Sequence, residues 1–226
     1  MSKKQVVLII MVILVIDQVF KFIIKTNYFL GEDHPVLGSW FRLHFVENEG
    51  MAWGWKLGKS GSVGKMALTL FRLAAVVFGV YFIHKIIKEK YHRGFIICVA
   101  LIFAGAVGNL IDSLFYGMIF EESDPFRQNV ARLFPEGGGY AGFLHGKVVD
   151  MLYFPIINTT FPTWMPVWGG EPFEFFSPVF NIADASISIG LIVILLFQKR
   201  FFDKHNSPQT EQPEKTEVVT INEEAV

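Results

Sequence analysis

The chain has 226 residues, of which 52% are hydrophobic and 18% are charged, and its formal net charge is −1. Soluble domains ordinarily carry about 25% charged residues, so this composition excludes an ordinary water-soluble protein. The near-neutral charge and the lack of a basic stripe argue against a nucleic-acid partner. Cys98 is the single cysteine and no Cys or His spacing is typical of a metal site, so we expect no disulfide, no metal and no cofactor.

Four apolar blocks follow one another along the chain, each close to the roughly 20 residues that cross a bilayer as a helix. The first block is not followed by a small-x-small cleavage site, so we interpret it as an uncleaved helix. Ser177 and Pro178 form a helix start signal ahead of the fourth block. The sequence therefore predicts an all-α integral membrane protein with four transmembrane helices, at about residues 6–24, 66–87, 94–115 and 178–197.

Basic residues near the ends of the blocks predict the orientation of the chain. Two lysines precede the first block, Lys199 and Arg200 follow the fourth, and the short turn between the second and third blocks is also basic. We therefore expect both termini to be cytoplasmic and the loops at about 25–65 and 116–177 to face outward. We also expect a small extracytoplasmic β-containing region formed from the first outer loop.

The last part of the chain, residues 203–226, is polar, acidic and nearly free of aromatic residues. Such a segment cannot bury enough apolar surface to fold alone. We expect a disordered cytoplasmic tail there and a single four-helix membrane domain over residues 1–202.

Several polar side chains stand inside the apolar blocks, where each is costly and marks a candidate functional site. At about 1.5 Å per helical residue they all fall in the outer half of a core about 30 Å thick. Counted from a helix start at Pro178, Asp184 lies about 9 Å below the outer surface. One shared site would explain the common depth of these residues, which are Asp17, Gln18, Lys21, Asn109, Asp112, Asn181 and Asp184.

The same residues also have structural interpretations, which the residues alone leave open. Asp17 and Lys21 are four positions apart and can form an ion pair along one helix. Asn109 and Asp112 share a helix face and can hydrogen-bond a neighbouring helix. Asp184 can complement a helix N-terminus.

Two glycines and one arginine inside the apolar blocks bear on how the helices pack. Gly105 and Gly108 precede Asn109 and allow a neighbouring helix to approach closely. Arg72 lies inside the second block and needs a partner, for which Asp112 is within reach.

Five short motifs occur in order between about residues 10 and 200: Asp17-Gln18-x-x-Lys21, Asn48-x-Gly50-x-Ala52-Trp53, Gly105-Ala106-x-Gly108-Asn109-x-x-Asp112, Val148-Val149-Asp150 and Phe180-Asn181-x-Ala183-Asp184. Together they resemble the motifs of lipoprotein signal peptidase, also known as signal peptidase II. Each motif alone is weak, but five in the family's order, on matching spans, are highly specific.

The resemblance implies an aspartic endopeptidase of the bacterial inner membrane, with its active site towards the periplasmic face. Its substrates would be prolipoproteins whose lipobox cysteine carries diacylglycerol, cleaved just before that cysteine, and globomycin-type antibiotics would inhibit it. Membrane lipid would be its other partner, and nothing in the sequence demands more than a monomer. The resemblance assigns catalysis to Asp150 and Asp184, site-shaping and substrate binding to Asn48, Gly50, Asn109, Asp112 and Asn181, and structural support to Asp17, Lys21, Gly105 and Gly108.

The residue types fit that chemistry, because two close carboxyl groups cannot both ionise and share a proton. One of them can then activate water while the other polarises the scissile carbonyl. Two alternatives remain open: a proton- or cation-coupled transporter, since membrane-embedded acids also mark such pathways, and a non-catalytic relative that binds lipidated peptides.

The chain departs from the family pattern in two places. The third motif usually ends in arginine after the aspartate, whereas Ser113 stands here, and Arg72 is a candidate substitute for that arginine. The outer segments 117–147 and 155–177 are also long for the family, and we expect an enlarged lid or a recognition surface there.

Overall fold

The structure is a computed structural model that describes residues 1–49, 62–175 and 177–202. Within these ranges four helices are long and apolar enough to cross a membrane, which confirms the predicted number of spans. They are α1 (Lys3–Asn27), α2 (Ser62–Lys88), α3 (Arg93–Ile111) with its continuation, and α5 (Ile182–Phe202). The continuation of α3 is a π-helical turn, Asp112–Tyr116, followed by the short helix α4, Gly117–Ile119.

The fourth span begins later than Ser177 and Pro178 suggested. Residues Val179–Phe180 form strand β6, and α5 starts only at Ile182. The cap is Asn181, whose Oδ1 accepts a hydrogen bond of 2.8 Å from the backbone N–H of Asp184. Asp184 therefore lies in the first turn of α5, at the end of the span, and not a further turn into it as the predicted start implied.

A four-stranded antiparallel sheet covers one end of the helix bundle. Its strand order is β1-β2-β3-β6, so the first outer loop supplies only half of it. The expected β-containing region is present and the first outer loop contributes to it, but its other two strands come from the second outer loop. The strands are β1 (Asp33–Leu37), β2 (Phe41–Asn48), β3 (Val148–Tyr153) and β6, and a separate hairpin is formed by β4 (Ile157–Thr160) and β5 (Pro172–Phe175).

Strand β3 lies between β2 and β6 and carries Asp150, which the sequence placed in a loop. Its residues from Val148 to Met151 are all buried, although Asp150 is acidic. Strand β2 runs along one edge of β3, β6 pairs with Leu152 and Tyr153 on the other edge, and the helices lie beneath. Asp150 stands opposite Val46 of β2, and the buried, paired strand fixes the direction of its side chain.

Two apolar clusters pack the bundle, and the polar side chains of α1 lie between them along the helix. One cluster surrounds Val6, Phe95 and Phe201 at the end where α3 begins and α5 ends. The other surrounds Ile24 and Phe45 and joins α1 to the sheet and to the π-helical turn. This second cluster seats the sheet on the helices, because apolar side chains from both are buried in it.

The long segment after α4 folds back onto the end of α3. The backbone N–H groups of Ala141 and Gly146 donate to the carbonyl oxygens of Gly117 and Ser113, at 2.8 and 2.9 Å. Tyr140 is half-buried beside this turn, and its hydroxyl accepts a bond of 2.6 Å from the Lys147 N–H. The segment is thus tied to the bundle at several points along its length.

Candidate active site

Lys21 is fully buried in the bundle, and its ammonium group joins α1 to α3. Its Nζ lies 2.9 Å from Asp17 Oδ2 and 2.8 Å from Asp112 Oδ2. It also donates a hydrogen bond of 2.9 Å to Asn109 Oδ1, so its three protons have three acceptors. Gln18 Nε2 donates to both carboxylates, at 3.1 and 3.0 Å. These bonds compensate buried charges that would otherwise be costly.

Asp17 has a second role, because it links α1 to the start of α5. Its Oδ1 accepts a hydrogen bond of 2.9 Å from the backbone N–H of Ala183, one of the donors that a helix N-terminus leaves unpaired. A Cβ on Gly108 would lie 2.7 Å from Asp17 Oδ2, and one on Gly105 would overlap the Ala183 carbonyl oxygen. The two glycines therefore permit the close approach of three helices.

Two asparagines bring Asp150 and Asp184 to the same place. Asn181 Nδ2 donates to Asp150 Oδ1 at 2.7 Å and to Asn109 Oδ1 at 3.1 Å. Asn109 Nδ2 in turn donates to Asp184 Oδ1 at 2.7 Å. The two acids thus stand at the ends of one short chain of hydrogen bonds through two amide side chains.

The second oxygen of Asp150 is also bound, at the edge nearest the sheet. Asn48, the last residue of β2, donates from Nδ2 to Asp150 Oδ2 at 3.2 Å. By contrast, no donor among the described residues bonds the second oxygen of Asp184. Gly50, which the motif groups with Asn48, lies outside the described residues.

Burial raises the pKa of Asp150 to about 7, and the charge of Asp184 is the second cause. The hydrogen bonds from Asn48 and Asn181 act in the opposite direction, because they favour the ionised form, and so does the charge of Lys21. A carboxyl group with a pKa near neutrality can hold a proton while its neighbour is ionised. The site can therefore both donate and accept a proton at physiological pH.

Asp112 connects β3 to the helix bundle. Its Oδ2 accepts a hydrogen bond of 3.3 Å from the backbone N–H of Val149, next to Asp150. Gln18 bonds its other oxygen, and the Tyr116 hydroxyl donates to Gln18 Oε1 at 3.2 Å. The π-helical turn places both Asp112 and Tyr116 inside, a geometry frequent at functional sites.

Gln18 and Tyr116 are members of this network to which the family resemblance assigned no role. Gln18 was visible as a polar residue inside the first block. Tyr116 falls just after the third block as predicted, and a tyrosine at a span end ordinarily suggests the membrane interface.

Arg72 has a different partner from the one suggested by sequence. Its Nη1 donates a hydrogen bond of 2.9 Å to Ser113 Oγ, and not to Asp112. Asp112 is already occupied by Lys21 and by the other donors described above. The arginine thus reaches the very position where the family pattern has its own arginine.

Within the described residues, no group of three or more His, Cys, Asp or Glu side chains could hold a metal ion. What the site offers is two carboxyl groups held by amides, with differing hydrogen-bond environments. This arrangement suits proton transfer to and from a bound substrate or water.

The fold and site define a multi-pass membrane protein with an amide-linked pair of aspartates. The family model described as signal peptidase (SPase) II matches residues 9–200. The lipoprotein signal peptidase of Porphyromonas gingivalis ATCC 33277 is 50% identical over 198 residues, which cover 87% of this chain and 84% of that protein. The chain belongs to the signal peptidase II family, as its motifs indicated, and the transporter alternative is not favoured.

More distant relatives agree in sequence and in fold. The lipoprotein signal peptidase of Amoebophilus asiaticus is 34% identical over 185 residues, covering 80% of this chain and 72% of that protein. A bacterial membrane enzyme solved by the in meso method at 2.3 Å resolution is 27% identical and superimposes with a TM-score of 0.54. That alignment covers 93% of this chain and 95% of the solved one.

Proposed function

We propose that this protein is a membrane aspartic endopeptidase that removes signal peptides from diacylglyceryl-modified prolipoproteins, cleaving just before the lipidated cysteine. The observation that carries the proposal is the convergence of Asp150 and Asp184 on one chain of amide hydrogen bonds. Membership of the signal peptidase II family supports it.

The catalytic step follows from the unequal surroundings of the two acids. Asp150 has the raised pKa and holds the shared proton, which it donates to the scissile carbonyl oxygen. Asp184, with one oxygen free of donors among the described residues, takes a proton from water as the water oxygen attacks the carbonyl carbon. The tetrahedral diol then collapses: its C–N bond breaks, the amine takes the proton from Asp184, and a diol hydroxyl returns one to Asp150.

The remaining site residues have supporting roles in this proposal. Asn109 and Asn181 hold the acids, and Asn48 borders the site at the sheet. The family motif gives Gly50 a site-shaping role as well. Asp112 anchors β3, which presents Asp150. Structural support comes from Asp17, Lys21, Gly105 and Gly108.

The proposal includes a location: the bacterial inner membrane, with both termini cytoplasmic and the acids near the periplasmic surface. The distribution of lysine and arginine supports this orientation. A substrate anchored by its diacylglyceryl group keeps its scissile bond at that surface, where the start of α5 and strand β3 hold the acids. We further propose that the protein acts as a monomer, that residues 1–202 are its single membrane domain, and that globomycin-type compounds inhibit it.

The decisive experiment uses the protein purified in detergent and a diacylglyceryl-modified prolipoprotein. Cleavage to a lighter product is expected, and globomycin should block it. Asp150→Asn and Asp184→Asn should each abolish cleavage, while Asp124→Asn, in a surface turn, should leave it unchanged. Cleavage that survives either change would remove the assignment, and a folded wild-type protein that binds the lipopeptide uncut would indicate a non-catalytic relative.

A further inference from the structure

Arg72 is a half-buried cation in α2 that the catalytic scheme does not use. It lies inside a span, where an arginine is costly unless its donors have partners. Among the described residues no carboxylate forms an ion pair with it, and its one hydrogen bond goes to Ser113 Oγ. A guanidinium has five N–H donors, and the other four have no acceptor among the described residues.

Ser113 fixes where this cation points. The serine hydroxyl donates its own proton to the Asn109 carbonyl oxygen at 2.9 Å, which leaves an oxygen lone pair for Arg72. Asn109 is the residue that binds Asp184, so the guanidinium is held beside the acid pair. The carboxyl groups of Asp184, Asp112 and Asp150 are near enough for their charges to act on this guanidinium.

A bound substrate would bring acceptors for the N–H donors that Arg72 does not use among the described residues. Peptide carbonyl oxygens and the ester carbonyl oxygens of a diacylglyceryl group are such acceptors, and both reach this depth on a lipid-anchored cysteine. We propose, on the basis of the peptidase function above, that Arg72 is a substrate-binding residue. It donates hydrogen bonds to a carbonyl oxygen of the lipid-modified peptide beside the acid pair, and Ser113 is its positioning residue.

The test compares Arg72→Gln and Arg72→Lys with wild type on two synthetic prolipoprotein peptides. One peptide carries a diacylglyceryl group with ester carbonyls, and the other carries the dialkyl ether analogue. Arg72→Gln should raise KM about tenfold on the ester peptide with a smaller change in kcat. Arg72→Lys should recover part of this loss, because lysine keeps the charge but not the planar fork. An effect retained on the ether peptide assigns a peptide carbonyl, and an effect lost there assigns the ester.

Two controls separate the possible failures. Arg132→Gln, at an exposed arginine whose side chain is 85% accessible, should leave KM unchanged. Ser113→Ala should give a smaller rise in KM than Arg72→Gln, since it removes only the orienting bond. If the wild-type enzyme cleaves and both Arg72 variants have the wild-type KM, this inference is overturned and the peptidase proposal stands. A folded wild-type protein that does not cleave overturns the peptidase proposal itself.

Binding without turnover provides a second measurement that does not depend on rates. In a protein that carries Asp184→Asn, adding Arg72→Gln should weaken binding of the ester peptide about tenfold. Adding Arg72→Lys should give an affinity between those two values. Equal affinities in all three proteins overturn the inference. Thermal unfolding in detergent identifies any variant that fails to fold. If Arg72→Gln does not fold, Arg72→Lys is the deciding variant, and wild-type affinity and KM in Arg72→Lys overturn the inference.

Discussion

The chemistry of the site depends on how differently two aspartates are surrounded. Asp150 is enclosed by strands and helices and accepts two amide donors, whereas Asp184 lies in the first turn of α5 and accepts one from a side chain. Enclosure favours the neutral acid, and amide donors favour the ionised one. For Asp150 the enclosure prevails, since the pKa is raised to about 7.

This raised pKa has a consequence for stability. The pKa of this carboxyl group is near 4 in the unfolded chain and about 7 in the folded protein. The group therefore destabilises the fold progressively as the pH rises from about 4 to about 7. Asp150→Asn removes that cost, so the stability of the variant relative to wild type should rise by up to about 4 kcal/mol between pH 4 and pH 8. A loss that does not depend on pH is added to it, because asparagine offers one acceptor oxygen to the two amide donors. Thermal unfolding in detergent at several pH values measures the rise. A difference in Tm that does not grow with pH would contradict the prediction.

The same ionisation should appear in the cleavage rate. If Asp150 must hold the proton, kcat/KM should fall as pH rises through about 7, since the neutral form is lost. The measurement is initial rates on a lipidated peptide whose own charges do not change in that range. A profile still rising above pH 9 would show that Asp150 is not the proton donor.

At the scale of elements, α3 is the central piece, because α1, α2 and α5 all pack against it. Small side chains set the distance between α3 and α5. A Cβ on Gly105 would lie 2.7 Å from Ser186 Oγ as well as overlapping the backbone of α5, and one on Gly190 would lie 2.7 Å from the Cys98 carbonyl oxygen. The first turn of α5 carries Asp184, so this distance also places an acid.

Gly105→Ala should therefore push α5 away from α3. We expect a destabilisation of about 1–3 kcal/mol, as overpacked cores show, and a larger fractional loss of cleavage than of folded protein. Thermal unfolding and kcat on the same preparation measure both. Gly137→Ala is the matched control, since a Cβ there meets nothing within 4 Å. Wild-type stability in Gly105→Ala would mean that the helices can separate without cost.

A second contact between elements lies where α1 meets the sheet. Lys25 is fully buried, forms an ion pair with Glu47 of β2 and donates to Ser123 Oγ at 2.7 Å. Its ammonium also lies over the Tyr140 ring, 5.2 Å from the centroid. Through Lys25 the long segment after α4 is joined to both α1 and β2, so the expectation of a lid applies at most to parts beyond this contact.

Removing one partner of this pair should cost more than removing both. Glu47→Ala leaves the Lys25 charge without its carboxylate and should destabilise the fold by about 3–5 kcal/mol. The double change Lys25→Met with Glu47→Leu should recover most of that loss. Thermal unfolding compares them, with Glu122→Ala, whose side chain is 69% accessible, as the control. Equal losses in the single and double variants would show that the charge is not the cause.

For the whole molecule, composition alone was enough for the four spans, because a bilayer demands long apolar helices. The start of α5 was not predictable, since β6 forms only by pairing with β3, and that pairing depends on residues distant in sequence. The partner of Arg72 was missed for a similar reason: Asp112 is an acid in the same half of the membrane, but Lys21 and Gln18 already occupy it. The motifs singled out the proposed pair of acids, while the amide links between them could be seen only in the folded chain.

The pairing of β3 with β6 also bears on how the protein tolerates different membranes. Helices tilt to match the hydrocarbon thickness of their bilayer, and such tilting changes the spacing of groups on separate helices. Here Leu152 of β3 pairs with Phe180 of β6. Asp150 lies two residues before Leu152, and Asp184 lies four residues after Phe180. Backbone hydrogen bonds between the two strands therefore set the distance between the acids. Helix tilting in response to hydrophobic mismatch should leave that distance unchanged. Cleavage in nanodiscs should accordingly vary little with lipid acyl-chain length.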